Sequence, residues 1–313
     1  MSAAAATTTP FIERLRTRIP SVSQFLRRAR TDRRNVAYDL LPLLDYRGRQ
    51  TLGRLVCHFK PRTPDLAPSP LARSLCADLC EEGFTAIQPP IDAQVLGDLT
   101  AYFRSLPCHD PYRPHLGRFA WDQVPSDDIN IGYYTPDEVI RAPHALALAN
   151  HPDVLAAVEL YLGARPILDN IGAAWGFAGR ATAKGVQRFH RDYDCVGNVK
   201  LFYYLTDIDE DAGPHVFVRG SHRSSILETG KAQTDADIEA AFGTGKLVTL
   251  TAPAGSWFLE DVYGFHKGLL PVSRPRLLLA FQYNLYPTPH SPKAPVMDNP
   301  GGFDPYINQV FLR

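Results

Sequence analysis

Two periodicities of hydrophobic and polar positions divide this chain. Up to residue 163, apolar side chains recur every three or four positions, which predicts helices over 71–82, 93–106 and 153–162 and a short strand over 84–87. Beyond residue 164 they alternate with polar residues between Gly and Pro turns, which predicts strands over 167–177, 187–192, 200–205, 215–218, 247–251, 256–259, 263–267 and 276–286, and one inserted helix over 234–242. Short strands preceded by helices indicate an α+β protein with a mainly β core: a double-stranded β-helix (jelly-roll or cupin-like) with flanking helices.

The composition divides the chain into three segments. Residues 71–286 carry the helices and strands of the predicted jelly roll. We expect residues 1–70 to form a basic N-terminal extension that is partly disordered, because residues 2–10 are of low complexity. Within it we expect a helix or helical hairpin over 36–59, followed by a Pro-rich linker. Residues 287–313 are Pro-rich and irregular, and we expect this tail to pack on the outside of the domain.

The extension is basic and partly amphipathic between residues 11 and 34. Apolar residues alternate there with arginines at 14, 16, 18, 27, 28, 30, 33 and 34, against only Glu13 and Asp32. Three interpretations stay open. The arm could pack loosely on the domain or mediate self-association, it could lie on an anionic membrane surface, or it could be an organellar transit peptide.

The bulk composition excludes several classes of function. Of 313 residues 45% are hydrophobic and 21% charged, as in a globular protein with a substantial core, and the zero net charge gives no overall attraction to nucleic acid. No apolar run approaches the ~20 residues that span a bilayer. The five cysteines contain no C-x-x-C pair, so we expect a cytoplasmic protein, with peripheral membrane contact through the basic arm as one option. The sequence leaves the oligomeric state open.

A His-x-Asp pair on a predicted strand is the first candidate for chemistry. Residues i and i+2 of a strand point to the same face, so His190 and Asp192 converge while Arg191 points away. His266, on a later strand, supplies a third ligand. Two imidazoles and one carboxylate form the facial triad that suits non-haem Fe(II) and leaves positions open for O₂. Alone, a His-x-Asp pair is a weak signal, because chance supplies one in many chains of this length.

The positions left open by such a triad also point to a co-substrate. A 2-oxo acid occupies two of them through its carboxylate and keto oxygen, and O₂ takes the last. The far carboxylate of 2-oxoglutarate then needs a cation, and Arg binds a carboxylate with two parallel hydrogen bonds. Arg276 begins the last apolar strand, whereas its competitor Arg274 lies in a turn, so we favour Arg276.

With these residues in place, residues 71–286 resemble the phytanoyl-CoA dioxygenase family of Fe(II)/2-oxoglutarate oxygenases. The resemblance rests on the following pieces: the helix, Gly-Phe turn and strand at 79–87; Phe189-His190-Arg191-Asp192; Tyr204-Leu205-Thr206-Asp207; Ala212-Gly213-Pro214; Val218-Arg219-Gly220-Ser221-His222; Gly255-Ser256-Trp257 and the distal His266; and Arg276. Ala212 departs from the Asn that usually precedes Gly-Pro in the family, and His215 follows where an aliphatic residue is common. The extension before Pro70 has no counterpart.

The resemblance implies a reaction and further site residues. It implies that 2-oxoglutarate and O₂ become succinate and CO₂ while a C–H bond is hydroxylated, with His190, Asp192 and His266 as metal ligands and catalytic centre. It also implies that Lys200, Phe202 and Tyr204 line the co-substrate pocket, to which we add Gln187 as a candidate. Related halogenases carry Gly or Ala in place of the carboxylate, so Asp192 favours hydroxylation or another oxidation such as desaturation.

The substrate is the least specified part of the prediction. We expect an aliphatic C–H bond of a small polar, sugar- or lipid-linked molecule, contacted by the irregular segment 107–136. The candidate substrate contacts are Asp194, His215, Tyr134 and Trp175. The alternative is a catalytically silent jelly-roll protein that binds a metal or another ligand without turnover.

Overall fold

A computed structural model of the protein describes residues 21–228 and 230–313. The low-complexity run at 2–10 and the first arginines of the basic segment therefore lie outside the described residues. Within the described ranges, no helix combines the length and apolar character needed to cross a bilayer.

The helices flank the β-structure and begin and end where the sequence provides caps. They are α1 (Val22–Thr31), α2 (Arg34–Leu40), α3 (Tyr46–His58), α4 (Pro70–Glu81), α5 (Ala93–Ser105), α6 (Pro136–Ile140), α7 (Ala145–Ala149), α8 (Pro152–Leu162) and α9 (Asp235–Phe242). Ser69 caps α4 ahead of a proline in its first turn, and Asp92 caps α5 by accepting from two backbone N–H groups. Gly163 ends α8 in the left-handed conformation (φ 81°) that favours glycine.

Two antiparallel sheets form the core. The strands are β1 (Cys108–His109), β2 (Arg118–Phe119), β3 (Ile131–Tyr133), β4 (Ile167–Gly176), β5 (Asn198–Tyr204), β6 (His215–Val218), β7 (Leu247–Leu250), β8 (Trp257–Asp261), β9 (His266–Gly268) and β10 (Arg276–Asn284). The seven-stranded sheet has the order β2-β1-β3-β4-β10-β5-β8, and the three-stranded sheet has the order β7-β6-β9. Aromatic residues of both sheets, such as Phe258 and Phe217, share one cluster, so the sheets face each other as the jelly-roll prediction required.

Strand alternation gives the large sheet two different faces. Its outer face is apolar and packs against α4, α5 and α8, with Leu201, Tyr203 and Leu279 in the same core as Leu79 and Val158. Its inner face is partly open, because Lys200, Leu278 and Ala280 are only half-buried within otherwise buried strands. The inner face therefore lines a cleft between the sheets.

The inner-face side chains lie in rows that cross the strands. One row is polar: Asn170, Gln282, Lys200 and Glu260. The next combines small and aromatic residues: Gly172, Ala280, Phe202 and Phe258. Ala174, Leu278 and Tyr204 follow, and then Gly176 and Arg276. Because glycine and alanine have small side chains, the cleft is deep in its middle, between the polar row at one end and Arg276 at the other.

Three local predictions differ from the structure. Residues 187–192 do not form a strand, because the segment pairs only through isolated bridges, from Phe189 to Gln233 and from His190 to His266. The segment 84–87 contacts β8 through isolated bridges at Phe84 and Gln88 instead of a continuous ladder. The irregular segment 107–136 contains β1, β2 and β3, which extend the large sheet. In each case tertiary pairing decides the backbone, and a run of two or three residues carries too little periodicity to reveal it.

The N-terminal helices and the C-terminal tail pack on the jelly roll. The Arg49 guanidinium on α3 donates to the carbonyl of Cys195, and Arg34 on α2 donates to the carbonyls of Ser291 and Pro292. In the tail, Phe311 joins the main hydrophobic core, and Leu168 on β4 donates its N–H to the carbonyl of Ile307.

Candidate metal centre

His190, Asp192 and His266 come together at the mouth of the cleft. One ligand atom from each lies within 4.8 Å of the others. The backbones of His190 and His266 exchange two hydrogen bonds of 3.0 and 3.1 Å, and the N–H of Asp192 donates to the carbonyl of Val262 at 2.8 Å. The predicted convergence of a His-x-Asp pair with a distant histidine is therefore present, although the pair sits on an extended segment and not on a full strand.

Both histidines are oriented by the chain that precedes them. Nδ1 of His190 lies 2.9 Å from the carbonyl oxygen of Arg188, and Nδ1 of His266 lies 3.0 Å from that of Gly264. A carbonyl can only accept, so each Nδ1 carries the proton and donates it. Each Nε2 is then left with its lone pair, the form in which imidazole binds a metal.

The surroundings of the cluster favour an ionised Asp192 and a neutral His266. Burial opposes ionisation of Asp192, but the positive charges of Lys200, His266 and His190 outweigh it and hold the pKa of this carboxyl below its usual range. Nζ of Lys200 donates to Oδ2 of Asp192 at 2.6 Å. Burial, together with the charge of His190, lowers the pKa of His266 to about 4. Two imidazoles and one carboxylate form a donor set that fits Fe(II).

Arg276 lies at the other end of the cleft and is buried. Its Nη1 donates to the carbonyl of Gly213, and a Cβ on Gly268 would lie 2.5 Å from Nη2, so glycine makes room for the guanidinium. No carboxylate pairs with Arg276 among residues 21–228 and 230–313. Burial lowers its pKa. A buried guanidinium without a counter-charge is costly, which favours an anionic ligand such as the far carboxylate of 2-oxoglutarate.

Three of the residues predicted to line the co-substrate pocket, Lys200, Phe202 and Tyr204, have different contacts in the structure. Lys200 bonds Asp192, and the Phe202 ring packs 5.2 Å from Phe258 on the inner face. The hydroxyl of Tyr204 donates to the carbonyl of Leu250 and accepts from the N–H of His215, so both its roles are used within the protein.

Gln187 keeps a free donor. Its Oε1 accepts from Nδ2 of Asn130 at 2.6 Å and from the N–H of Lys184 at 3.0 Å. Its Nε2 is buried and has no hydrogen-bond partner among the described residues. This amide N–H is therefore open to a ligand oxygen.

The predicted substrate contacts Asp194 and His215 lie close to the cluster. Oδ2 of Asp194 accepts from Nε2 of Gln282 at 3.3 Å, and burial with the charge of Asp192 raises its pKa. His215 lies between the sheets, its Nε2 2.7 Å from Oε2 of Glu260 and its ring stacked on that of His266. Burial and the charge of Arg276 lower the pKa of His215 well below its usual range. His215 thus packs against the ring of His266, whereas Asp194 lies beside Asp192 on the side of the centre that we take to be open to a substrate.

The structure does not bring Tyr134 and Trp175 to the cluster. Trp175 lies on the outer face of β4, stacked on Trp121 with ring centroids 4.5 Å apart. Its Nε1 donates to the Tyr134 hydroxyl at 3.0 Å, and that hydroxyl donates to the carbonyl of Phe103. The expectation that they contact substrate is corrected here: strand parity points both side chains into the helix-covered core. Asn170, at odd separation from Trp175, faces the cleft instead.

A cavity of about 270 Å³ borders His190. Its wall includes Asn130, Ile131 and Tyr133 from segment 107–136, which the sequence predicted to contact substrate. Tyr133, and not its neighbour Tyr134, therefore faces the candidate centre. The parity of β3 decides this, and no local pattern distinguishes two adjacent tyrosines.

Two further groups at the centre were not predicted from the sequence. Glu260 is fully buried, and its Oε1 lies 3.4 Å from Nδ1 of His266. The sequence signal that points to Glu260 is a charged residue directly after the apolar residues 257–259. Tyr38 on α2 and His290 in the tail meet edge to face, 5.1 Å apart, and Nε2 of His290 lies 3.7 Å from Oδ1 of Asp194. Nothing in the local sequence connects these distant segments.

The comparisons with known proteins agree with this geometry. The family model described as Phytanoyl-CoA dioxygenase (PhyH) matches residues 79–269. No curated protein matches the chain. Among solved structures, the non-haem alpha-ketoglutarate-dependent epimerase SnoN of nogalamycin biosynthesis is 19% identical, with a TM-score of 0.51 over 77% of this chain and 93% of its own.

Two other similar structures have lower TM-scores. HygX from Streptomyces hygroscopicus, solved with nickel and 2-oxoglutarate, is 19% identical, with a TM-score of 0.49 over 69% of this chain and 87% of its own. The carbocyclase SnoK of nogalamycin biosynthesis is 14% identical, with a TM-score of 0.49 over 70% of this chain and 87% of its own. At these identities the likeness shows the fold alone.

Proposed function

Because the chain belongs to the phytanoyl-CoA dioxygenase family of Fe(II)- and 2-oxoglutarate-dependent oxygenases, we propose that His190, Asp192 and His266 bind the iron and that Arg276 anchors 2-oxoglutarate. The observation that carries this proposal is the clustering of the three ligand atoms within 4.8 Å. The anchoring role is supported by the burial of Arg276 across the cleft, where no carboxylate of the described residues pairs with it. When bound, Fe(II) and 2-oxoglutarate would activate O₂ for the oxidation of a C–H bond.

The residues around the centre have separate tasks in this proposal. The carbonyls of Arg188 and Gly264 fix the tautomers of the two histidines, so that both Nε2 lone pairs would be available to the metal. Lys200 holds the carboxylate of Asp192 in its ionised form through a 2.6 Å contact. Gln187 offers its unpaired Nε2 to an oxygen of the bound co-substrate or substrate.

We further propose that the reaction is hydroxylation of an aliphatic C–H bond in a small polar, sugar- or lipid-linked molecule. Asp192 supports it, because the ligand position that halogenases leave vacant is occupied here. The open side of the centre offers polar groups to a substrate: Asp194, the Tyr38 hydroxyl and His290. Burial, with the charges of Asp194 and Asp192, raises the pKa of Tyr38 to about 12, so it stays a hydrogen-bond donor at neutral pH. Ile131 and Tyr133 offer apolar surface beside His190.

The cytoplasm is the proposed location. All five cysteines are free in the structure, as a reducing compartment would keep them. The hypothesis of membrane contact through the basic arm concerns residues that lie partly outside the described ranges, and nothing within those ranges supports it.

The first experiment measures succinate formed from 2-oxoglutarate by the full chain with Fe(II) and O₂, in the absence of substrate. We expect slow uncoupled turnover in the wild type and none in His190→Ala. Arg276→Gln should raise the KM for 2-oxoglutarate by at least about tenfold, because a charge-assisted pair is lost. Arg274→Gln is the matched control: Arg274 is exposed and pairs with Asp209, so the KM should not change.

Metal binding without turnover would favour the alternative function. Tight metal binding without succinate formation, in the presence of varied polar and lipid-linked candidates, would support the catalytically silent jelly roll instead. The substrate itself is best sought by comparing metabolites and lipids of a deletion strain with its parent. The product should be missing from the deletion strain, and a compound lighter by one oxygen should accumulate.

A further inference from the structure

A second cavity, of about 480 Å³, lies between α3 and the jelly roll. Four arginines line it: Arg49 and Arg54 on α3, Arg62 after it, and Arg223 from the jelly roll. Among the described residues, Asp261 is the one acidic side chain in its wall. The volume falls within the range of about 300–1,000 Å³ that is typical of small-molecule sites.

Asp261 does not neutralise these arginines. Its Oδ2 accepts from the hydroxyl of Tyr161 at 2.5 Å, and its Oδ1 accepts from the N–H of Tyr263 at 2.9 Å. Both oxygens are therefore engaged by neutral donors. The carboxylate balances at most one of the four positive charges.

Three of the four arginines donate to backbone carbonyls, and none donates to a carboxylate among the described residues. Nε of Arg62 donates to Gly163 at 3.1 Å, and Nη2 of Arg223 donates to Glu81 at 2.7 Å. None of the four forms an ion pair within the part of the chain that the structure describes. Arg54 is exposed and makes no side-chain hydrogen bond to described residues.

Arg49 is the most constrained of the four. It is 3% exposed, and its guanidinium lies over the rings of Tyr263 and Tyr193, at 4.4 and 5.5 Å from the centroids. Its Nη2 donates to the carbonyl of Cys195, whereas Nη1 is buried without a hydrogen-bond partner in the described residues. Holding a buried, partly unpaired guanidinium costs free energy unless an anion compensates it.

We infer that this cavity, which we call the arginine cavity, binds a phosphate-bearing ligand. Several planar guanidinium groups around one space match the many acceptor oxygens of a phosphate or diphosphate, which take paired N–H donors. The cavity is larger than a single phosphate requires, so it has room for the organic part of the ligand. Either a soluble phosphorylated metabolite or a phospholipid headgroup offers this chemistry.

The arginine cavity is separate from the metal centre. Asp261 and Glu260 are consecutive on β8, and alternation directs them to opposite faces of the strand. Glu260 faces the cleft and approaches His266, whereas Asp261 faces the arginine cavity. A ligand in the cavity would therefore lie behind the strand that supports the metal site.

Isothermal titration of the full chain with inorganic pyrophosphate tests the inference. We expect saturable binding by the wild type that weakens as salt is added. The double variant Arg54→Gln/Arg223→Gln should bind about 100-fold more weakly, since each lost charge-assisted contact is worth about tenfold. The single variant Arg54→Gln, at an exposed side chain that leaves the fold intact, should lose about tenfold.

Two matched variants establish where the anion binds. Arg73→Gln removes an exposed arginine of α4 that does not line the cavity, and binding should stay at the wild-type level. Arg276→Gln removes the arginine of the cleft, and pyrophosphate should still bind. Pyrophosphate binding that survives Arg54→Gln/Arg223→Gln but disappears in Arg276→Gln would place the anion in the co-substrate site and overturn the inference.

The source of the phosphate is tested with vesicles. Binding of pyrophosphate and of free phosphorylated sugars, with no preference for phosphatidylinositol phosphate in phosphatidylcholine vesicles, indicates a soluble ligand. Binding to those vesicles, lost in Arg54→Gln/Arg223→Gln, indicates a headgroup. Absence of saturable binding to both pyrophosphate and the vesicles would overturn the inference. These outcomes do not depend on succinate formation, so they leave the proposed oxygenase function unaffected.

Discussion

Glu260 belongs to the polar row on the inner face and lies beside the candidate metal centre. Glu260 is fully buried, 2.7 Å from Nε2 of His215 and 3.4 Å from Nδ1 of His266. Burial raises its pKa to about 7. Neither oxygen of Glu260 has a hydrogen-bond partner among the described residues, and the carbonyl of Gly264 already orients the His266 ring. Glu260 therefore acts on His266 through its negative charge, which increases the basicity of the imidazole, and such partners are worth about 10–100-fold in metal affinity.

Glu260→Gln should weaken Fe(II) binding by about 10–100-fold, because the amide keeps the shape but cannot carry a negative charge behind His266. Competition with a chromophoric chelator under anaerobic conditions measures the change. Asp261→Asn is the matched control, since Asp261 is the next residue and faces away from the cleft. Equal metal affinity of Glu260→Gln and wild type would show that Glu260 only fills space.

At the scale of elements, one buried carboxylate joins β4, β10 and the C-terminal tail. Asp169 lies at the irregularity between Gln282 and Tyr283 in the β4–β10 ladder. Its carboxylate accepts from Nδ2 of Asn284 at 2.7 Å, from the N–H and hydroxyl of Thr288 at 2.8 and 2.7 Å, and from the Ser291 hydroxyl. This network fixes the turn 288–291, which carries His290 to Tyr38 and Asp194.

Asp169→Ala should lower the free energy of unfolding by about 3–5 kcal/mol, because it leaves several buried donors without a partner. Urea unfolding followed by circular dichroism measures the loss. Asp298→Ala, which removes an exposed carboxylate paired with the exposed Arg313, should leave the unfolding midpoint unchanged. Similar midpoints for Asp169→Ala and Asp298→Ala would contradict the assigned role of the network.

Over the whole molecule, burial keeps several histidines neutral. Burial lowers the pKa of His222, which contacts the carbonyl of Cys80 behind the Gly-Ser-His turn, and also that of His215 and His266. A lowered pKa in the fold means that the unfolded chain binds more protons below about pH 6.5. The stability from each histidine is therefore fully present above that pH and is lost as pH falls through the folded pKa. Glu260, with its raised pKa, acts in the opposite direction.

His222→Gln isolates one of these contributions, because His222 lies away from the metal cluster. Compared with wild type, the variant should show a smaller loss of unfolding free energy between pH 7.5 and about pH 5, since it has one fewer group that must stay neutral. Denaturant unfolding at both pH values gives the difference. His58→Gln, at an exposed position on α3, should keep the wild-type pH dependence. An unchanged dependence in His222→Gln would contradict the prediction.

Much of the fold and of the centre follows from local pattern. Helices α4, α5, α8 and α9 were predicted to within two residues, because capping residues and long apolar stripes mark them. The order along the chain predicted His190, Asp192, His266 and Arg276 as one site, and the structure brings the first three together. The short strands β1, β2 and β3 were missed, and the strand predicted over 187–192 is reduced to isolated bridges, because pairing partners far along the chain define these elements.

By itself, the sequence determined the class of protein: the residue types that can hold Fe(II) and 2-oxoglutarate, their order, and the jelly-roll periodicity that makes distant strands neighbours. Tertiary structure alone decided which side chains surround the centre. Pairing register put Glu260, Lys200, Gln282 and Asn170 in one row, strand parity turned Trp175 and Tyr134 into the core and Tyr133 towards the cavity, and packing brought Tyr38 and His290 to Asp194. Register, parity and packing are relations between segments far apart in the chain, and no single stretch of sequence contains them.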